Sequence, residues 1–206
     1  MFINPNKIPL NISVLYEEYD SIFAEWNANK HLVEFKDFTY YQEQYMNQHQ
    51  AGFPIDVDTY AQAKIKESAG WGVAPLFCMN IEYKRNVNVL SYTTSVLKKI
   101  GQLRYCGLTV LDAGQKLIWH KDAEEVPVGY MQLRGLFGLD CKPGSYAGVR
   151  SEKTQKEHFR EFENKKFIII NVTKNYHTVW NESNHPRVCL IMDLLVKPQD
   201  VINKNK

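Results

Sequence analysis

Residues 176–196 read Tyr-His-Thr-Val-Trp-Asn-Glu-Ser-Asn-His-Pro-Arg-Val-Cys-Leu-Ile-Met-Asp-Leu-Leu-Val, and this stretch decides the class of fold. Its two ends, 176–180 and 187–196, are rich in β-branched, aromatic and other apolar residues, and the residues between them favour a turn. That pattern predicts two β-strands joined by a turn. If the strands pair as a hairpin, His177 and Arg187 lie almost opposite each other, with Cβ atoms roughly 5 Å apart. We therefore expect these two side chains to point into one site.

The second half of the chain continues in the same way. Short β-type runs follow one another, and turn sequences such as Asp112-Ala-Gly114 and Lys142-Pro-Gly144 separate them. Several short strands separated by turns are typical of an antiparallel barrel or sandwich, and we expect a jelly-roll core. The predicted strands cover residues 70–80, 106–112, 117–122, 131–139, 166–172, 176–180 and 187–196, with a short helix at 93–100.

The first third of the chain is predicted to be mainly helical. Between residues 12 and 26 the apolar residues recur at helical spacing, and two further helices are predicted at 37–48 and 57–67. The chain contains no internal repeat and no low-complexity linker.

These elements predict one domain of mainly β (α+β) class over residues 1–206. Residues 1–69 form a mainly helical wrapping, and residues 70–198 form the jelly-roll core, a double-stranded β-helix of the cupin-like kind. Residues 199–206 are predicted to be a flexible tail.

The charge balance argues against some classes of partner. Lys and Arg total 25 against 23 Asp and Glu, a net charge of +2, which predicts neither a nucleic-acid nor a membrane partner. We find no pattern of a secretory signal and no apolar run near the roughly 18 residues of a membrane helix, so we expect a cytoplasmic protein. The widely spaced cysteines form no CxxC pair and are predicted to be buried thiols.

A candidate metal site begins at His120 and Asp122. Side chains two residues apart on a strand share a face, so this imidazole and this carboxylate project together. They could supply two of the three protein ligands of a non-haem iron site. A surface histidine beside a solvated aspartate gives the same pattern, but Arg187 near His177 favours a site. A chelating dicarboxylate would bind a metal at one end and an arginine at the other.

Residues 108–197 resemble the aspartyl/asparaginyl β-hydroxylase family of Fe(II)- and 2-oxoglutarate-dependent oxygenases. The resemblance rests on Leu-Thr-Val-Leu-Asp-Ala-Gly-Gln-Lys-Leu-Ile-Trp-His at 108–120 and Leu-Arg-Gly-Leu-Phe-Gly-Leu at 133–139. It rests also on His-Thr-Val-Trp-Asn-Glu-Ser at 177–183 and Arg-Val-Cys-Leu-Ile-Met-Asp at 187–193. The last two segments form its most specific part.

The resemblance implies a metal site. His120 and His177 would bind Fe(II), and Asp122 matches a carboxylate that some members of the family carry and others lack. It also implies a site for 2-oxoglutarate, in which Arg187 would hold the distal carboxylate with help from the Thr109 hydroxyl.

A second arginine also matches the family, but a residue next to it differs from the family's pattern. Arg134 matches an arginine that contacts the other end of the cosubstrate. The family's Arg-x-His is Arg134-Gly135-Leu136 here, so a histidine is missing.

The implied activity is a dioxygenase reaction. With Fe(II), 2-oxoglutarate and O₂, the protein would hydroxylate a C–H bond of a small-molecule or peptidyl substrate, such as an amino acid or a peptidyl Asp or Asn, and release succinate and CO₂. A catalytically inactive jelly-roll module that binds metal or a partner is the alternative, which Leu136 favours. A third alternative is a different metal chemistry on the same fold, without 2-oxoglutarate. Arg187 argues against it.

Overall fold

The computed structural model describes residues 1–37, 70–78, 81–122 and 126–202. The predicted helix at 57–67 lies outside the described residues, and so does the predicted helix at 37–48 apart from Asp37. The predicted tail is described only as far as residue 202, where a short helix, Pro198–Ile202, occupies its start.

The described helices lie mostly before the main strands. A 3-10 turn at Pro5–Lys7 comes first. The α-helices are α1 Val14–Glu17, α2 Tyr19–Asn29, α3 Lys84–Val89, α4 Ser91–Lys98 and α5 Pro198–Ile202. The helix predicted over 12–26 is therefore two helices, interrupted at Glu18, whose φ of −96° and ψ of 7° are not helical. The short helix predicted at 93–100 is confirmed as α4.

Within the described part of the chain, ten strands form two antiparallel sheets. In the large sheet the order is β1-β2-β4-β10-β5-β8 with β3 beside β2, and in the small sheet the order is β7-β6-β9. The strands are β1 Lys36–Asp37, β2 Trp71–Cys78, β3 Ile81–Glu82, β4 Leu103–Leu111, β5 Met131–Asp140, β6 Ser145–Ser151, β7 Glu157–Glu161, β8 Phe167–Ile170, β9 Asn175–Asn181 and β10 Arg187–Val196. This arrangement confirms the predicted mainly β jelly-roll with N-terminal helices; β6 and β7 were not predicted.

The two faces of β10 pack against different layers. Even-numbered residues such as Leu190 and Met192 belong to the core shared with the helices. Odd-numbered residues such as Cys189 and Ile191 belong to a second core, which contains residues of both sheets. Because side chains alternate along a strand, the odd-numbered Arg187 and Asp193 also face the space between the sheets, which we call the interior.

The predicted hairpin is wrong. β9 pairs with β6 in the small sheet, whereas β10 pairs with β4 and β5 in the large sheet. The intervening turn carries the chain from one sheet to the other. Asn181 anchors this crossover, because its Nδ2 donates to the Leu111 carbonyl at 2.9 Å and to the His185 carbonyl at 2.8 Å. His177 and Arg187 therefore reach the interior from opposite sheets.

The predicted strand at 117–122 is also wrong as a regular element. The segment runs along β9, but Lys116 pairs with Trp180 and His120 with His177 only as isolated bridges. From Lys116 to His120 the segment advances by four residues, whereas β9 advances by only three between Trp180 and His177. The segment therefore has one extra residue, as at a β-bulge, and this residue interrupts the hydrogen-bonded ladder. The irregularity ends at His120, which again lies directly opposite a residue of β9, His177.

Among the described residues, every helix is too short and too polar to span a membrane.

Candidate metal centre

Two histidines stand side by side because their backbones pair. His120 N donates to the His177 carbonyl at 3.1 Å, and His177 N donates to the His120 carbonyl at 2.8 Å. Directly opposed residues of an antiparallel pair project to the same face. The two rings accordingly lie with centroids 4.1 Å apart, over the interior.

The hydrogen bonding of His120 prepares its ring for a metal. Nδ1 lies 2.8 Å from the Ile118 carbonyl oxygen. A carbonyl oxygen can only accept, so Nδ1 carries the proton and the neutral ring has its lone pair on Nε2. Such a bond to the far nitrogen is the usual way in which a ligating imidazole is oriented.

Asp122 completes a set of three ligand atoms. Its Oδ1 lies 3.6 Å from His120 Nε2 and 3.7 Å from His177 Nε2. The three ligand atoms lie within 4.8 Å of one another. Two imidazoles and one carboxylate are the donor set of the facial triad that binds non-haem Fe(II), so the residues fit the expected ion. The side chains of His120 and Asp122 project to the same side of their segment, as the sequence predicts. Their role as metal ligands stays a prediction.

Arg134 joins this set to a second carboxylate. Its Nη2 lies 2.9 Å from Asp122 Oδ2, and its Nε lies 2.5 Å from Asp193 Oδ1. Burial raises the pKa of Asp193 above its ordinary value, and the Arg134 guanidinium opposes that rise. The resemblance assigned Arg134 to the cosubstrate, and that expected contact stays a prediction.

Arg187 is buried at the other end of the interior. Its residue is 1% exposed, its Nη1 lies 3.5 Å from Cys189 Sγ, and its guanidinium carbon lies 4.5 Å from the centre of the Phe162 ring. Its Nε lacks a hydrogen-bond partner, and no described carboxylate pairs with it. A buried cation without a counter-ion is costly, so this environment fits an anionic ligand.

Thr109 supports the same end of the interior. It is 2% exposed and lies opposite Cys189 in the ladder between β4 and β10. Its Oγ1 accepts a hydrogen bond from Trp71 Nε1 at 2.8 Å. The hydroxyl proton can still be donated, and the indole fixes the oxygen. Sequence reasoning missed Trp71 and Phe162, although an aromatic residue between two glycines, Gly70 and Gly72, was a signal for the first.

Two thiols lie beside Arg187. Cys141 Sγ and Cys189 Sγ are 3.8 Å apart. Burial raises the pKa of Cys189, but hydrogen bonding from Cys141 and the Arg187 charge outweigh burial and lower that pKa to about 7. Hydrogen bonding to Cys189 and burial both raise the pKa of Cys141. Cys106 and these two cysteines are buried as predicted, whereas Cys78 is half-buried.

A family model described as aspartyl/asparaginyl beta-hydroxylase matches residues 16–197. The match spans most of the chain, and the protein belongs to this family. Membership supports a hydroxylase or oxygenase kind of function.

Individual relatives are distant. The chain is similar to a lacto-N-biosidase of Bifidobacterium bifidum, with 25% identity over an alignment of 169 positions that covers 71% of this chain and 15% of that protein. The chain therefore spans much less than two thirds of that relative's length.

A solved structure shares the architecture, and a second is reported beside it. The chain is similar to a prolyl-4-hydroxylase of Pseudomonas putida, with a TM-score of 0.50 and 12% identity, over 89% of this chain and 87% of that one. An oxidoreductase of the 2OG-Fe(II) oxygenase family from Burkholderia pseudomallei gives a TM-score of 0.43 and 12% identity, over 68% of this chain and 79% of that one. At such identities the likeness to the prolyl-4-hydroxylase shows the fold alone.

Proposed function

We propose that this member of the aspartyl/asparaginyl β-hydroxylase family is an Fe(II)- and 2-oxoglutarate-dependent dioxygenase. It hydroxylates a C–H bond of an amino-acid, peptidyl Asp or Asn, or related substrate. One observation carries the proposal. His120, Asp122 and His177 bring their ligand atoms within 4.8 Å of one another in the interior that also buries Arg187 without a described carboxylate partner.

His120, Asp122 and His177 would hold Fe(II). Nε2 of each histidine and Oδ1 of Asp122 are the atoms turned towards one another. A facial arrangement of three protein ligands leaves positions open for the cosubstrate and O₂. The bound ion and cosubstrate supply the oxidation, in which 2-oxoglutarate, O₂ and the substrate C–H become succinate, CO₂ and the hydroxylated product.

Arg187 and Thr109 hold the distal carboxylate of 2-oxoglutarate. The guanidinium offers a planar fork that matches a carboxylate, and its burial strengthens the pairing because little water competes. The Thr109 hydroxyl donates to the same group, and Arg134 contacts the other end of the cosubstrate.

The apolar interior excludes water from the reacting groups. Leu136, Val149 and Ile168 come from both sheets and are each at most 6% exposed. Exclusion of water strengthens the charge pairing and protects the reaction from side products. Leu136 stands where the family has a histidine, and it adds to this apolar wall.

Anaerobic titration tests the proposal. Addition of Fe(II) and then 2-oxoglutarate to the full chain should give a weak visible charge-transfer band. His177→Ala should abolish the band, because one imidazole ligand is lost. The matched control His31→Ala removes an exposed histidine after α2 and should leave the band unchanged.

The same titration separates the alternatives. Absence of any band at saturating Fe(II) and 2-oxoglutarate overturns the oxygenase proposal. In air, succinate formation measured against a panel of amino acids, Asp- and Asn-containing peptides and lipids identifies the substrate. A band without succinate formation on any member of the panel supports the inactive metal-binding module.

A further inference from the structure

Asp193 is a buried carboxylate to which no motif assigns a role. It lies on the interior face of β10, 7% exposed, opposite Arg134 of β5 and Tyr105 of β4. An ionised carboxylate in such a place requires a charged or hydrogen-bonding partner. Arg134 supplies it, through the 2.5 Å contact between Nε and Asp193 Oδ1.

This contact limits what Arg134 can do with Asp122. An arginine and a carboxylate often pair through two parallel hydrogen bonds, which occupy both carboxylate oxygens. With Nε held by Asp193, Arg134 contacts Asp122 through Nη2, at 2.9 Å from Oδ2. The other oxygen, Oδ1, is the one that faces His120 Nε2 at 3.6 Å and His177 Nε2 at 3.7 Å.

The two oxygens of Asp122 are thus divided between two partners. If Arg134 were not held, its guanidinium could take both oxygens and compete with a metal ion for the carboxylate. Two ion pairs connect Asp193 on β10 to Arg134 on β5, and Arg134 to Asp122 on the segment beside β9. Each of these three side chains is only 10–15% exposed. Little water is available to replace a lost contact.

We propose that Asp193 is a positioning residue for the metal centre, which acts through Arg134. By holding Nε of Arg134, it confines the guanidinium to Oδ2 of Asp122 and leaves Oδ1 directed at the metal position. The inference rests on the proposed function only in taking Asp122 as a ligand.

Binding of Co(II) to the full chain tests this role without turnover. Asp193→Ala should weaken Co(II) binding by about tenfold to a hundredfold, the usual effect of removing a residue that orients a ligand. Asp193→Asn should recover part of the affinity, because its amide oxygen still accepts from Arg134 Nε. Asp200→Ala removes an exposed acid of α5 and should change nothing.

A double-mutant cycle distinguishes positioning from a general structural effect. In an Asp122→Ala background, Asp193→Ala should change the Co(II) affinity by less than about twofold, because the residue through which it acts is gone. Equal weakening in both backgrounds, or unchanged affinity in the single variant, overturns the inference. Thermal unfolding of each variant verifies that it is folded.

The outcome also differs from failure of the proposed function. If the unaltered chain binds neither Co(II) nor Fe(II), the metal site itself is wrong. If it binds both and the Asp193 variants bind Co(II) equally well, the role of Asp193 alone is wrong.

Discussion

The two ends of the interior contrast in how their charges are satisfied. At the metal end, Asp122, Arg134 and Asp193 form a continuous series of ion pairs beside the two histidines. At the other end, Arg187 contacts a thiol and an aromatic ring, and no described carboxylate pairs with it. Arg187 and Asp193 lie six residues apart on the interior face of β10.

This difference indicates that the two ends of the interior have different roles. Paired groups hold one another in place, so the metal end is organised before any ion binds. A lone buried cation is stable only if something compensates its charge, so the arginine end is complementary to an anion that comes from outside. The variants below test this contrast.

The largest effect is expected at Arg187. Arg187→Ala should weaken 2-oxoglutarate binding on the order of a hundredfold to a thousandfold, because it removes one partner of a buried charge pair. Metal affinity should stay unchanged, since the proposed metal ligands lie at the other end. Calorimetry with the Mn(II)-loaded chain measures both quantities.

Two variants serve as controls for this prediction. Arg187→Lys keeps the charge without the fork and should recover part of the affinity. Arg160→Ala removes an exposed arginine of β7 and should have no effect. Equal losses of metal and cosubstrate binding in Arg187→Ala would show that Arg187 is structural.

A smaller effect is expected at the metal end. Asp122→Ala should weaken Co(II) or Mn(II) binding by about a hundredfold, more than loss of the positioning residue Asp193, because an anionic ligand is removed while both imidazoles remain. Binding of 2-oxoglutarate at saturating metal should change little. Metal titration compares this variant with Asp20→Ala, which removes an exposed acid of α2. An unchanged metal affinity would remove Asp122 from the ligand set.

The smallest effect is a pH dependence at the arginine end. Because the pKa of Cys189 is lowered to about 7, its thiolate forms above that pH and pairs with Arg187. The thiolate then competes with the cosubstrate carboxylate, so affinity should fall as pH rises. If only the thiol form binds, the competent fraction falls as the pH rises from about 6 to about 8, and the affinity falls with it.

Cys189→Ala should remove this pH dependence, and Cys78→Ala should retain it. Calorimetric titration with 2-oxoglutarate across that pH range measures the effect. An identical dependence in the unaltered chain and in Cys189→Ala would assign it to another group.

Local rules predicted part of this site correctly. His120 and Asp122 are two residues apart, and their side chains project to the same side of the segment. The bulge does not disturb this alternation, because it lies before His120. The turn after β9 was also predicted. Its residues indicate that the chain reverses, but they do not indicate whether it returns to the same sheet or crosses to the other one, and the hairpin was therefore wrong.

Local sequence patterns could not predict which side chains contact each other. Nothing in the sequence shows that Arg134 lies between Asp122 and Asp193, which are 12 and 59 residues away from it. The same holds for Cys141 and Cys189, which are 48 residues apart. β7 was missed because its sequence is polar, with Glu157 and Arg160 among its residues. β6 was missed because small and polar residues such as Gly148 and Arg150 interrupt its apolar residues.

The sequence by itself determined that the second half of the chain is rich in β-strands, and it singled out two histidines, an aspartate and an arginine as site residues. The β-rich half follows from residue chemistry, and the His120–Asp122 pair follows from the alternation of side chains along a strand; both are local. His177 and Arg187 were singled out by a hairpin that does not form and by the family resemblance. Only the tertiary structure decided that His177 and Arg187 reach one interior from opposite sheets, and that Asp193 holds Arg134 against Asp122. Strand pairing depends on which faces bury one another across long stretches of chain, and that free energy is not contained in any short segment.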